Sequence, residues 1–135
     1  MQVSPDTLLV MVADDDDDFR AVIVAALKAQ GHSTLEARDG QELLDLLEVA
    51  QDGAAEHVPD VVLADVKMPK LSGLGVLEEL GRLGLGVPFV AMTGLRDGSI
   101  STVALRLGAV EVLRKPFDTD RMLTALRVAT GPRAP

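Results

Sequence analysis

Apolar positions in this chain come in short blocks separated by longer amphipathic stretches. Residues 8–13 (LLVMVA), 61–64 (VVLA) and 87–92 (VPFVAM) are near-continuous apolar runs, rich in Val and Leu and bordered by Asp, Pro or Gly. Runs of this length and composition predict strands buried on both faces. Weaker runs at 33–37, after the turn residue Gly31, and at 110–113, just ahead of Lys115-Pro116, predict two more. Between the first two, Phe19, Val22, Ile23, Ala26 and Leu27 have the spacing that lines one face of a helix, which Gly31 stops. Further helices are predicted over residues 41–50, 73–83, 99–107 and 119–129, the last with Asp118 as its N-cap.

Strand and helix therefore alternate strictly. Continuous apolar strands separated by helices imply a parallel sheet covered on both sides, so the predicted fold class is α/β: a doubly wound five-stranded parallel sheet with helices on both faces. The polar, Gly-containing residues 51–59 read as a surface loop longer than the fold needs, and residues 131–135 as a short fraying tail. A length of 135 residues predicts one domain, with a core over residues 7–130.

Composition narrows the function classes. With 47% hydrophobic and 25% charged residues the chain falls among folding globular proteins. Its net charge of −8, with Lys and Arg scattered, argues against direct binding of nucleic acid or anionic lipid. No cysteine is present, which excludes disulfides, thiolate zinc sites and a cysteine nucleophile. The first six residues lack a signal-peptide pattern, and no apolar run reaches the roughly 18 residues that span a bilayer. A cytoplasmic protein without membrane insertion is expected.

In an open parallel sheet, ligands bind outside the carboxyl ends of the strands. Asp14 and Asp15 follow the first predicted strand, Asp65 the third, Thr93 and Gly94 the fourth, and Lys115-Pro116 the fifth. Carboxylates held about 4 Å apart repel by roughly 4 kcal/mol per pair at an effective dielectric near 20. Either one carboxyl keeps its proton or a cation sits between them. An all-oxygen donor set favours a hard ion such as Mg²⁺, and a metal, a lysine and a hydroxyl beside a carboxylate suit phosphoryl transfer.

These residues resemble the receiver domain of two-component signal transduction (flavodoxin-like, CheY-like), and the likeness runs over nearly the whole chain. It is carried by Val12-Ala13-Asp14-Asp15-Asp16, by Asp65-Val66-Lys67-Met68-Pro69 with Gly73 four residues on, by Thr93-Gly94, and by Gly108-Ala109 ahead of Lys115-Pro116-Phe117. The resemblance implies a single-domain response regulator that accepts a phosphoryl group on Asp65 from a sensor histidine kinase or phosphotransfer protein and signals to a downstream protein. It implies Mg²⁺ held by Asp15 directly, by Asp14 largely through water, by Asp65, and by the backbone carbonyl of Lys67. Thr93 would hydrogen-bond a phosphate oxygen, Lys115 would ion-pair with another, and the Lys115-Pro116 peptide would be cis. Such a domain is not an enzyme in the ordinary sense, since it catalyses only its own phosphorylation and dephosphorylation. The family often signals through the face here around residues 99–107 and 119–129. One position departs from the pattern: Val112 stands where receivers usually carry Tyr or Phe, so the rotamer swap of that ring is not available.

Blander readings compete at several positions. Asp16, Asp17 and Asp18 read as a solvated helix start, favoured there by the helix dipole. Met68 and Met92 read as core filler, Gly73 as a site of close approach or helix entry, residues 81–86 as a helix end and turn, and His32 and His57 as solvated loop residues. The glycine position of a Ca²⁺ loop begun at Asp14 is Phe19, and no phosphate-binding glycine loop is present. Two other functions stay open on these residues. One is a degenerate receiver binding its partner without phosphorylation; the other is a small haloacid-dehalogenase-like phosphatase with a first-strand nucleophile.

Overall fold

The computed structural model describes residues 7–51, 58–94 and 98–131. Strands β1 (Leu9–Ala13), β2 (Ser33–Ala37), β3 (Val61–Asp65), β4 (Phe89–Thr93) and β5 (Glu111–Arg114) alternate with helices α1 (Asp17–Ala29), α2 (Gly40–Gln51), α3 (Gly73–Leu83), α4 (Gly98–Arg106) and α5 (Thr119–Thr130). The five strands form one parallel sheet in the order β2-β1-β3-β4-β5. This is the doubly wound α/β fold that the alternation of elements predicts.

Side-chain alternation along the strands divides the core into two layers. Met11, Ala13, Val62, Ala64, Phe89 and Ala91 point to one face and pack against α2, α3 and α4. Val10, Val12, Leu63, Val90, Met92 and Leu113 point to the other, against α1 and α5. Each fully buried Leu, Val, Met or Phe in these layers contributes about 1.5–3 kcal/mol of transfer free energy, so a polar residue here must have its own compensation. Because β1 has neighbours on both sides that follow it in the chain, a crevice opens beyond the carboxyl ends of β1 and β3.

Several boundaries differ from expectation for identifiable reasons. The fourth strand begins at Phe89 instead of residue 87, because Pro88 has no N–H for the ladder and only its carbonyl pairs, accepting from the Val62 N–H at 2.8 Å. β3 and β4 extend one residue further, so Asp65 and Thr93 are the last residues of their strands. In α1 the apolar face is rotated from the predicted one: Val22 is 66% exposed, while Arg20, Ile23, Val24 and Leu27 are buried. At 100° per residue, Val22 lies opposite Leu27 and Arg20, and Val24 takes its place. His32 is not simply solvated; its Nδ1 accepts a hydrogen bond from the Leu8 N–H at 3.0 Å. Burial, then the charge of Arg127, holds this imidazole below its ordinary pKa, and the bond requires the neutral ring. His57 and most of the loop at 51–59 and the tail at 131–135 lie outside the described residues; Gln51 itself ends α2.

Candidate functional site

The site is assembled by strand register. Ala13 of β1 lies level with Ala64 of β3, Asp65 level with Met92 of β4, and Thr93 level with Arg114 of β5. The residues reached at the next step, Asp14, Asp65, Thr93 and Lys115, therefore emerge along one edge. Asp14, Asp15, Asp65, Lys67, Gly94 and Lys115 line one open cleft there. Thr93, fully buried, ends β4 immediately before Gly94, and its carbonyl accepts the Lys115 N–H at 2.8 Å.

Asp14 is 1% exposed and Asp65 8%, both at the end of apolar strands. Their compensation is Lys115, whose Nζ donates to Asp14 Oδ2 at 2.9 Å and to Asp65 Oδ2. The lysine directly follows β5, and the Lys115-Pro116 peptide after it is cis. Remaining carboxylate oxygens are also satisfied: Asp14 Oδ1 accepts the Asp16 N–H at 2.9 Å, and Asp65 Oδ1 accepts the Lys67 N–H at 2.8 Å. Burial pushes the Asp65 carboxyl above its ordinary pKa with help from the charge on Asp14, against the pull of Lys115 and the Lys67 N–H. Burial works to lower the Lys115 pKa, but its bonds to Asp65 and Asp14 win and raise it.

Asp15 stays exposed on the cleft wall, as does Lys67. Asp16 is the N-cap of α1, its Oδ1 accepting the Phe19 N–H at 3.0 Å, so its job is at the helix start as the helix-dipole reading has it. Gly73 begins α3 against the backbone of the Asp65 strand end: a Cβ there would lie 2.3 Å from the Asp65 carbonyl oxygen. Only glycine permits that approach.

Two further groups were not visible as site residues in the sequence. Arg20, 8% exposed, donates to the Asp14 carbonyl at 2.7 Å, to Asp17 at 2.7 Å and to Glu36 of β2 at 3.0 Å, clamping the turn that carries the acids. The Asp17 partnership at (i, i+3) is readable in sequence; the Glu36 contact across the sheet is not. Phe19 places its ring 4.2 Å from the Lys115 ammonium and edge-on to Phe117.

A scan of the chain against protein families matches the response regulator receiver domain over residues 10–127. This chain belongs to the response-regulator receiver family. The receiver is 32% identical over 127 residues to the transcriptional regulatory protein FixJ of Azorhizobium caulinodans, covering 94% of this chain and 57% of that protein. It is 35% identical over 118 residues to the response regulator MprA of Mycolicibacterium vanbaalenii, covering 87% of this chain and 48% of that one. The receiver thus spans about half the length of these relatives. Among solved structures it is similar to the signal receiver domain of the putative response regulator NarL from Mycobacterium tuberculosis, with a TM-score of 0.80, 29% identity, and coverage of 93% of this chain and 98% of that one. The Francisella response regulator 1452 receiver domain gives a TM-score of 0.81 at 27% identity, covering 92% and 97%. A receiver is a signalling domain, so a phosphodonor kinase and a downstream target are the general kinds of partner. Among the described residues no helix is long and apolar enough to cross a membrane.

Fit to Mg²⁺ is a question of donor chemistry. Among the described residues no three Asp, Glu, His or Cys side chains are gathered closely enough to hold a metal by themselves. Lys115 occupies the position between the two buried carboxylates, which is where a competing cation would bear. The oxygen-only set of Asp14, Asp15, Asp65 and the Lys67 backbone on an open cleft suits a hard ion that keeps several waters, which is how Mg²⁺ usually binds. The residues fit.

Proposed function

We propose that this receiver is the cytoplasmic switch of a response regulator and that its phosphate acceptor is Asp65. It takes the phosphoryl group from a histidine kinase or phosphotransfer protein and signals by phosphorylation-dependent protein contact. The observation that carries the reading is the sharing of one ammonium by two buried carboxylates at the mouth of an open cleft.

An oxygen of Asp65 attacks phosphorus, the P–N bond to the donor imidazole breaks, and the nitrogen leaves with the bonding pair. Lys115, released from the Asp65 carboxylate as it becomes the acyl phosphate, ion-pairs with a phosphate oxygen, and the Thr93 hydroxyl donates to another. Asp14, Asp15, Asp65 and the Lys67 carbonyl would hold Mg²⁺, which supplies charge neutralisation for the transferred group. Water attack on the acyl phosphate restores the carboxylate, so the domain's only catalysis is on itself. Val103 and Leu105 are exposed on α4 and Val110 just ahead of β5, which supports this side as the output face.

Incubation with Mg²⁺ and acetyl phosphate should add one phosphate to the intact mass of the protein, and Asp65→Asn should abolish the gain. No gain in the wild-type protein under any Mg²⁺ concentration refutes the assignment. A phosphorylation-independent interaction module is the second reading, and the half-buried Val112 on β5 favours it, since it offers no ring to swing. That module would bind its partner equally well with Asp65→Ala. The phosphatase reading has no support from the family match; turnover of a phosphate ester that survives Asp65→Asn and dies in Asp15→Asn would restore it.

A further inference from the structure

We infer that Phe19 is a positioning residue for phosphoryl transfer, acting through Lys115, an inference that rests on the phosphoacceptor reading above. The chain has three Phe, no Tyr and no Trp. Phe89 is core, Phe19 lies under the cleft lysine, and Phe117 packs against Phe19. The Phe19 ring centroid lies 4.2 Å from Lys115 Nζ, the separation at which an ammonium is attracted by the negative face of a ring. The ring is itself fixed from two sides. Its backbone N–H is bound by the N-cap Asp16 in the first turn of α1. Its edge meets Phe117 at a centroid distance of 6.0 Å and an interplanar angle of 82°, the T-shaped arrangement that aromatic pairs favour.

A lysine side chain has four rotatable bonds and is the most mobile member of the cluster. Asp14 and Asp65 restrain its ammonium from the cleft side, but Asp65 is the group whose oxygen is esterified in the reaction. Once that oxygen carries phosphorus, one restraint is gone, and the ring remains as a fixed wall that keeps the ammonium over the cleft. The aromatic therefore matters more as Asp65 reacts than in the resting protein, which is the condition for an effect on rate. Phe117 lies between β5 and α5, so the wall joins α1 to that connection.

The test compares Phe19→Leu, which keeps an apolar side chain but removes the ring face, with Phe19→Tyr, which keeps the ring. In the unphosphorylated protein, the Lys115 ε-CH₂ protons should show an upfield ring-current shift in NMR spectra that Phe19→Leu removes and Phe19→Tyr retains. With acetyl phosphate and Mg²⁺, the Phe19→Leu phosphorylation rate should fall measurably and by no more than about 30-fold, the ceiling set by a whole cation–ring attraction converted to rate, and Phe19→Tyr should restore it. Thermal unfolding of both variants checks that they are folded. Wild-type rate in Phe19→Leu, a loss that Phe19→Tyr does not rescue, or a Lys115 shift indifferent to the ring each overturns the inference while leaving Asp65 as acceptor. Absence of phosphate gain in the wild-type protein overturns both together.

Discussion

Lys115→Met is the substitution that most directly interrogates the cluster, because it removes the charge and keeps an unbranched side chain of similar length. In the native protein the ammonium bridges Asp14 and Asp65, whose side chains are nearly shielded from water. Two oxygens bound to one ammonium can be no more than about 6 Å apart, so without it two negative charges repel by roughly 3 kcal/mol at an effective dielectric near 20. Breaking a buried pair by removing one partner costs about 3–5 kcal/mol, and the open cleft argues for the lower end. The expected loss at pH 7 is therefore about 3 kcal/mol, or a fall of about 2 M in urea midpoint if m is about 1.5 kcal/mol/M. Far-UV circular dichroism is the natural probe, as the chain has neither Trp nor Tyr.

The pH dependence has a definite sign. Asp65 already sits above 3.8 through burial, and removing Lys115 takes away the main group pulling it down, so its folded pKa rises further. A carboxyl raised in the folded state contributes stability that is complete below its unfolded pKa and lost as pH climbs through the folded value. The deficit of Lys115→Met should therefore shrink as pH falls from 7 to 5, by at most about 1.4 kcal/mol per unit. Lys115 itself contributes no slope there, since its raised pKa means its stabilisation is lost only above 10.5. A deficit under about 1 kcal/mol at pH 7, the value of an exposed pair, or one equal at both pH values, would refute the reading of one ammonium shared by two buried carboxylates.

Gly73→Ala should destabilise by more than the usual overpacking cost of about 1–3 kcal/mol, because the new methyl meets the Asp65 carbonyl oxygen at 2.3 Å and the Val66 Cα at 2.9 Å, backbone atoms that cannot rotate aside. Urea unfolding measures it, and a loss under about 0.5 kcal/mol would show that α3 can slide away from the strand end. Mg²⁺ should raise the melting temperature with increasing concentration, since it binds only the folded cleft, and Asp15→Asn should sharply reduce the shift. A scan in which Mg²⁺ leaves both proteins unchanged refutes the metal site as a whole, and an equal rise in both removes Asp15 from it.

What the sequence disclosed is set by how strongly each residue violates its local pattern. Asp14, Asp65 and Thr93 are polar residues ending runs that are otherwise wholly apolar, and burying a carboxylate there is costly enough that some partner must be present. That cost is legible along one strand. The identity of the partner is not, because Lys115 lies 101 residues from Asp14 and 50 from Asp65, and they are joined only by the rule that ligands bind at the carboxyl ends of parallel strands and by the likeness to a family. Fold class was legible for a related reason: three apolar runs and two weaker ones alternate with amphipathic stretches, and the shortness of the runs, their Val content and their Asp, Pro or Gly borders mark them as strands.

Residues that obey the local pattern conceal their work. Phe19 sits where an apolar residue belongs on α1, so nothing in its spacing signals a ring against an ammonium. Arg20 went unremarked because a lone basic residue near a helix start is ordinarily solvent-facing, and its burial follows from the rotation of α1 that also exposes Val22. Both errors have one origin. Nine of the thirteen residues of α1 are apolar, so more than one face is available, and the sheet, not the helix, chooses the angle at which a face docks. The same reasoning bears on Val112: its replacement of an aromatic is visible, but whether another ring serves in its stead depends on contacts between α1 and the segment after β5, which only the assembled sheet brings within reach.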